Sequence, residues 1–169
     1  LTFAWTLKAM TDSLGASVFV SAIVKSSAGG LMNFLPAIIF VIGAVIAFAT
    51  GTSWGTFGIL IPIVVNVFSG TNHELMIISI SACMAGAVCG DHCSPISDTT
   101  IMASAGAQCE HVNHVSTQLP YAMVAAAVSF LTYIIAGFGQ TAWIALPAGI
   151  ILMAITLVII RLKFDDLKM

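Results

Sequence analysis

Apolar residues fall in long runs, and the polar positions gather in short clusters between them. The runs cover 34–49, 57–68, 75–89, 101–107, 120–138 and 143–162. Residues 1–25 are also apolar, with interruptions at Lys8, Thr11, Asp12, Ser13 and Gly15. That pattern predicts a membrane helix over 1–25 that ends or bends near Gly15. Lys25-Ser-Ser-Ala-Gly-Gly30 is a loop by composition.

The stretch 34–68 has a single polar break, Thr50-Gly-Thr-Ser-Trp-Gly-Thr56. As helices its arms would be about 24 Å and about 18 Å long, whereas crossing the hydrocarbon takes about 30 Å. Neither arm is comfortably long enough. The expectation is a re-entrant hairpin, two half-helices meeting at a polar tip. Such a tip is tolerated only when buried in protein or facing water. The plainer alternative is two short helices joined by a surface turn.

Ser69-Gly-Thr-Asn-His-Glu74 is a polar loop, and the apolar run 75–89 follows. Gly90-Asp-His-Cys-Ser-Pro-Ile-Ser-Asp-Thr-Thr100 interrupts that run before 101–107. The expectation over 75–108 is one broken helix with an unwound middle. Pro95 removes an amide donor and disfavours helix at Ser94. Asp98, Thr99 and Thr100 supply cap residues for the helix that resumes. Residues 109–118 form a polar loop in this scheme, and 120–138 and 143–162 are plain spanning helices. Pro120 and Pro147 lie near helix starts, where proline is tolerated, and Trp143 lies near an interface.

Composition sharpens the class. Of 169 residues, 59% are hydrophobic and 7% charged, and the mean hydropathy is +1.08. A soluble domain carries roughly 25% charge. An ordinary globular protein and a disordered one are both excluded. The formal charge of −2 has no basic cluster behind it, so nucleic acid is not an expected partner. The fold class is therefore all-α integral membrane. The opening at Leu1, inside apolar sequence, leads us to expect a fragment without its N-terminal part.

Arg161, Lys163 and Lys168 place a tail over 163–169 in the cytoplasm of a cell membrane. Counting back, 139–142 is outside, 109–118 inside, and the hairpin dips from the outer face. Lys25 weakly opposes this orientation.

Asp91 and Asp98 carry the chemistry. A carboxylate at the bilayer centre costs at least ~2.5 kcal/mol unless it faces a cavity, a cation or a proton. Ser94, Ser97, Thr99 and Thr100 surround them with oxygen, together with carbonyls freed by unwinding. Hard oxygen donors suit a hard cation such as Na+. The hairpin tip offers Thr50, Thr52, Ser53 and Thr56, with Gly51 and Gly55 letting the backbone approach. Gly90 and Pro95 act as hinges beside Gly51 and Gly55. Two interrupted segments pointing at each other would make one site near the midplane. The bland reading makes the aspartates helix caps or interhelical hydrogen-bond partners.

Competing chemistry is weaker. Cys89, His92, Cys93, Cys109, His111 and His114 have loose zinc-like spacings, but the two groups lie nearly 20 residues apart. No metal other than Na+ is expected, and the cysteines, Cys83 included, behave as small apolar residues. His111 and His114 are expected to face cytoplasmic water. Asp12 and Lys8 form a local pair at one turn's spacing, with a second proton carrier as the sharper alternative for Asp12. Glu74 and Glu110 are solvated. Asp91-His92 with Ser94 is no triad by adjacency alone, so no enzyme activity is expected.

Phe48-Ala-Thr-Gly-Thr-Ser-Trp-Gly-Thr56 and the 90–100 stretch resemble the two signature stretches of NhaC-type Na+/H+ antiporters. His114-Val-Ser-Thr-Gln-Leu-Pro-Tyr121 is similar to the segment that follows them in that family. The resemblance covers nearly the whole chain, as the C-terminal portion of a protein more than twice as long. It implies the second of two inverted repeats, each with a re-entrant hairpin and a broken helix, in a secondary transporter. It also implies exchange of Na+ for H+, although some relatives are assigned amino acids or carboxylates.

The expected mechanism has Na+ and protons competing for Asp91 and Asp98. The expected partners are Na+, H+, the lipid bilayer and the missing N-terminal half, with a homodimer left open and no cofactor. The alternative is Na+-coupled movement of an organic anion or amino acid, held by tip hydroxyls and half-helix N-termini. A non-transporting scaffold would leave two intramembrane aspartates unexplained. The fragment by itself is not expected to transport.

Overall fold

The computed structural model describes residues 32–68 and 72–166, with 6, 9, 10 and 13–15, and side chains up to 163. Near Gly15 the chain turns, Leu14 donating its amide to the Met10 carbonyl at 3.0 Å and Gly15 in the left-handed region at φ +67°, in keeping with an end or bend there; the rest of the first helix, the Lys8–Asp12 pair, Lys25 and residues 167–169 lie outside the described residues. A 3-10 turn, Met32–Phe34, leads into α1 (Leu35–Thr50). Then come α2 (Ser53–Phe68), α3 (His73–Cys93), α4 (Asp98–Gly106), α5 (His111–Gly139) and α6 (Ala142–Asp166). Among the described residues the fold is all helix. By length and composition, Met32–Thr50, α3, α5 and Ala142–Lys163 can each cross a membrane, and α2 is shorter.

Small residues decide how α1 and α3 pack. A Cβ at Gly86 would overlap the Phe40 carbonyl, and one at Gly90 would overlap the Ala44 carbonyl. A Cβ at Gly43 would lie 3.1 Å from the Cys83 carbonyl. Small residues at such spacing let two backbones touch, which favours association where no water is present to drive it. The contacts advance together along both helices, so α1 and α3 run parallel and their C-terminal ends finish level. There Gly51, in the left-handed region at φ +67°, presses on the Ile96 backbone, leaving 2.9 Å for any Cβ.

The base of the hairpin is apolar. Leu35 of α1, Val64, Val67 and Phe68 of α2 and Leu75 of α3 form one buried cluster. The chain thus leaves this base along α1, turns at Gly51 and returns along α2. α5 runs the other way. Phe138 packs edge-on to Phe34 at 5.0 Å, and Tyr133 lies 5.5 Å from Phe40. Tyr133 also bonds Ser81 (3.1 Å), and Asn72 donates to Gln140 (3.0 Å). α6 folds back on α5 with Gly149 against Thr132 and buries no residue of its own. Away from that contact its apolar surface is open, with Trp143, Leu146, Ile150, Leu157 and Ile159 exposed; such a surface belongs in lipid, and the molecule is a multi-pass membrane protein.

Three expected boundaries shift. α3 continues through Gly90-Asp-His-Cys93, so the interruption shrinks to 94–97 and its arms are unequal, 21 and 9 residues. α3 alone is about 31 Å long. The polar stretch 109–118 is helical from His111, which puts Pro120 inside α5 instead of at its start. α6 continues to Asp166, so the first tail residues are helical.

Candidate functional site

Pro95 dictates the bend. Ser94 before it is extended (φ −76°, ψ 129°), as the proline ring requires, and α3 stops at Cys93. Ser97 then caps α4, its Oγ accepting from the Thr99 amide at 3.2 Å. The same hydroxyl donates to Asp91 Oδ1 at 2.6 Å. Its one proton is committed there, so the 2.8 Å contact with Thr99 Oγ1 has the threonine as donor. Thr100 Oγ1 donates to the His92 carbonyl at 3.3 Å, and Ser94 Oγ accepts from the Ile96 amide at 3.4 Å. The bend is thus closed by hydroxyls in place of the missing helical bonds.

Asp91 is 4% exposed, and Ser94 and Ser97 are fully buried. An ionised carboxylate can accept about four hydrogen bonds, and Asp91 has Ser97 on Oδ1 and no basic partner among the described residues. The amino end of α4 reaches it through Ser97, and the partial positive charge there favours an anion. Asp98 is different. It occupies the first turn of α4, exposed, one residue after the cap, so Ser97 and not Asp98 is the capping residue.

The hairpin tip is built from its own backbone. Thr50 Oγ1 donates to the Ile46 carbonyl at 2.8 Å. Thr52 caps α2, accepting from the Gly55 amide at 3.3 Å, and Thr56 Oγ1 donates to the Thr52 carbonyl at 2.9 Å. Ser53 is half-buried at the start of α2. Gly51 brings this tip against Ile96, so the two interruptions meet. Asp91, Ser97 and Thr99 are joined by hydrogen bonds. Among the described residues none links Thr50, Thr52 or Ser53 to either aspartate.

Two contacts at this level escaped the sequence pattern. His111, expected in water, opens α5 with Nε2 2.6 Å from the Pro95 carbonyl and Nδ1 3.0 Å from Ser104 Oγ. Ser104, on α4, is buried. Their only signal was a His and a Ser flanking a nearby turn. The four cysteines are free thiols, and no group of three His, Cys, Asp or Glu side chains able to hold a metal occurs among the described residues.

Comparison with known proteins extends this picture. A protein of Haemophilus influenzae described only as uncharacterized is 46% identical over 160 residues, 95% of this chain and 30% of the relative. The malate-2H+/Na+-lactate antiporter of Bacillus subtilis is 31% identical over 98 residues, 58% of this chain and 21% of its own. An uncharacterized Na+/H+ antiporter of Haemophilus influenzae is 34% identical over 94 residues, 56% of this chain and 20% of its own. The chain spans less than a third of the length of these curated relatives. No solved structure gives a significant match. The named relatives are transporters and not enzymes. The model of the Na+/H+ antiporter family matches residues 1–138, signature stretches included, and the chain belongs to that family.

Proposed function

We propose that this chain carries the ion site of a secondary transporter in which Na+ and protons compete for Asp91, with Asp98 as a second, more accessible carboxylate. The observation that carries the reading is a buried aspartate with one hydroxyl donor and no basic partner, beside a bend touched by the hairpin tip. A buried carboxylate needs a positive partner or a proton. Na+ would take oxygens from Asp91, Ser94, Ser97 and Thr99, with the hairpin tip of Thr50, Thr52 and Ser53 closing over them as a wall. Protonating the carboxylate removes its charge and releases the ion; binding the ion expels the proton.

In this reading α1 and α2 form a re-entrant hairpin, α3 and α4 a broken helix, and the two move together with Gly51, Gly55, Gly90 and Pro95 as hinges. The repeat is one of an inverted pair, the remainder of the protein supplying the other walls and facing Asp98. The protein resides in the cell membrane with its C-terminus in the cytoplasm. The test is Na+ flux across vesicles containing the complete protein, driven by a pH step. Asp91→Asn is expected to abolish flux, and Asp98→Asn to weaken it. Unchanged pH-dependent flux in Asp91→Asn would overturn the competition.

A second reading has its own support. α2 and α4 both begin at the level of the bend, so two helix N-termini lie where an organic carboxylate could be held, and one relative bears the name of a malate/lactate antiporter. Flux that requires an added carboxylate, and not a pH step alone, would favour it.

A further inference from the structure

The ring of His111 ties three pieces of chain together. Nε2 faces the Pro95 carbonyl at the crest of the bend, and Nδ1 faces Ser104 Oγ in the last turns of α4. A carbonyl only accepts, so Nε2 carries a proton whether the ring is neutral or charged. Ser104 owns one hydroxyl proton and has two claims on it, since its Oγ also lies 2.9 Å from the Ile101 carbonyl. When the ring is charged, Nδ1–H donates to Ser104, Ser104 donates to Ile101, and all three hydrogen bonds form together. When the ring is neutral, Ser104 must choose between Nδ1 and Ile101, and one bond is lost. Cys109 Sγ lies 3.7 Å from the carbonyl of the same serine, so the α4–α5 turn closes on this point.

We propose that His111 is a positioning residue for the ion site, a proton-responsive clamp that holds the 94–97 bend against α4 and α5 more firmly when protonated. The proposal rests on the reading of that bend as the place where ions bind. The bend carries Ser94 and Ser97 on either side of Pro95, so its rigidity decides how steadily Ser97 presents its hydroxyl to Asp91. The titratable groups on the surrounding elements are Cys89, Asp91, His92 and Cys93 at the end of α3, Asp98 on α4, Cys109 and Glu110 in the turn, His114 and Tyr121 on α5, and Arg161 and Lys163 on α6. α1 and α2 contain none. Among the described residues none of these groups bonds the His111 ring.

The experiment uses the full-length protein in vesicles and compares His111→Gln with His111→Ala. Glutamine keeps an N–H for Pro95 and an oxygen for Ser104 but has no proton to gain. It is expected to retain most of the transport rate, with apparent Na+ affinity rising more steeply with pH than in the wild type, because a loosening clamp no longer opposes the competition between Na+ and protons at Asp91. Alanine removes both ring hydrogen bonds and is expected to lower that affinity about tenfold. Amide exchange over 94–100, corrected for intrinsic rates, should become more protected on acidification in the wild type and indifferent to pH in His111→Gln. A pH profile and exchange pattern in His111→Gln that superpose on the wild type would overturn the clamp. If the exchange difference holds while Asp91→Asn still transports, the clamp stands and the ion-site reading has failed.

Discussion

The two interruptions lie side by side and use the same chemistry to opposite ends. At the hairpin tip, Thr50, Thr52 and Thr56 all bond their own local backbone, within four residues. At the bend, Ser97 reaches six residues back to a buried carboxylate, and His111 reaches across from another helix. The tip is a self-contained turn, and the bend is a junction between elements. Redirecting the Thr52 hydroxyl would leave the Gly55 amide without its cap, whereas Thr50 and Thr56 bond carbonyls four residues back, which the helix already uses. Hydroxyls already directed at a charge need only exchange one partner for another. The bend is therefore the responsive half of the pair and the tip the surface against which it works.

The largest effect should come from pushing the two interruptions apart. Gly90→Ala puts a methyl group into the Ala44 carbonyl of a neighbouring helix, and no flexible side chain is there to yield. Overpacking ordinarily costs about 1–3 kcal/mol, and backbone against backbone belongs at or above the upper end of that range. The expected outcome is a much lower unfolding temperature in detergent, with transport lost because the tip no longer meets Ile96. Gly58→Ala is the control, since a Cβ there has nothing within 4 Å. It should be neutral or stabilise by up to about 1 kcal/mol through helix propensity.

Which features could be read in advance follows from range. The tip and the bend were legible because glycine and proline act locally: Gly51 allows a left-handed turn, and Pro95 forbids helix at Ser94. The long apolar runs likewise announce their helices. The continuation of α3 through Gly90 was not legible, because glycine is a poor helix former and its reason for being there is the Ala44 backbone, far away in sequence. Ser97 and Asp98 are both good caps, and a one-residue choice between them is decided by the pull of Asp91 on the Ser97 hydroxyl. The helical start at His111 lacks apolar periodicity, and its support comes from Pro95 and Ser104. The expected pairing of Asp91 with Asp98 separates into one buried and one exposed carboxylate, a distinction that spacing alone does not contain.

Ser97→Ala should have an effect of intermediate size. It removes a hydrogen bond to a charged group, worth roughly 1.5–3 kcal/mol, and the cap of α4, worth roughly 1 kcal/mol. Apparent Na+ affinity in vesicle flux should fall by about tenfold or more, with a smaller loss of thermal stability. Ser97→Thr keeps the hydroxyl and should recover most of both. A Ser97→Ala protein with wild-type Na+ affinity would mean that Asp91 does not depend on this donor.

The smallest effect should come from Thr50→Ala, which is also the most discriminating. Thr50 is exposed at the end of α1, and its hydroxyl only bonds back to Ile46, an interaction that contributes little to a helix. Its removal should change stability by less than about 0.5 kcal/mol. If the tip is a passive surface, Na+ affinity should change by less than about twofold as well, well under one hydrogen bond. If Thr50→Ala lowers affinity as far as Ser97→Ala does while stability stays unchanged, the tip hydroxyl must leave Ile46 and bind the ion during transport. The hairpin would then be a working half of the site, and the asymmetry between the two interruptions would belong to this one conformation.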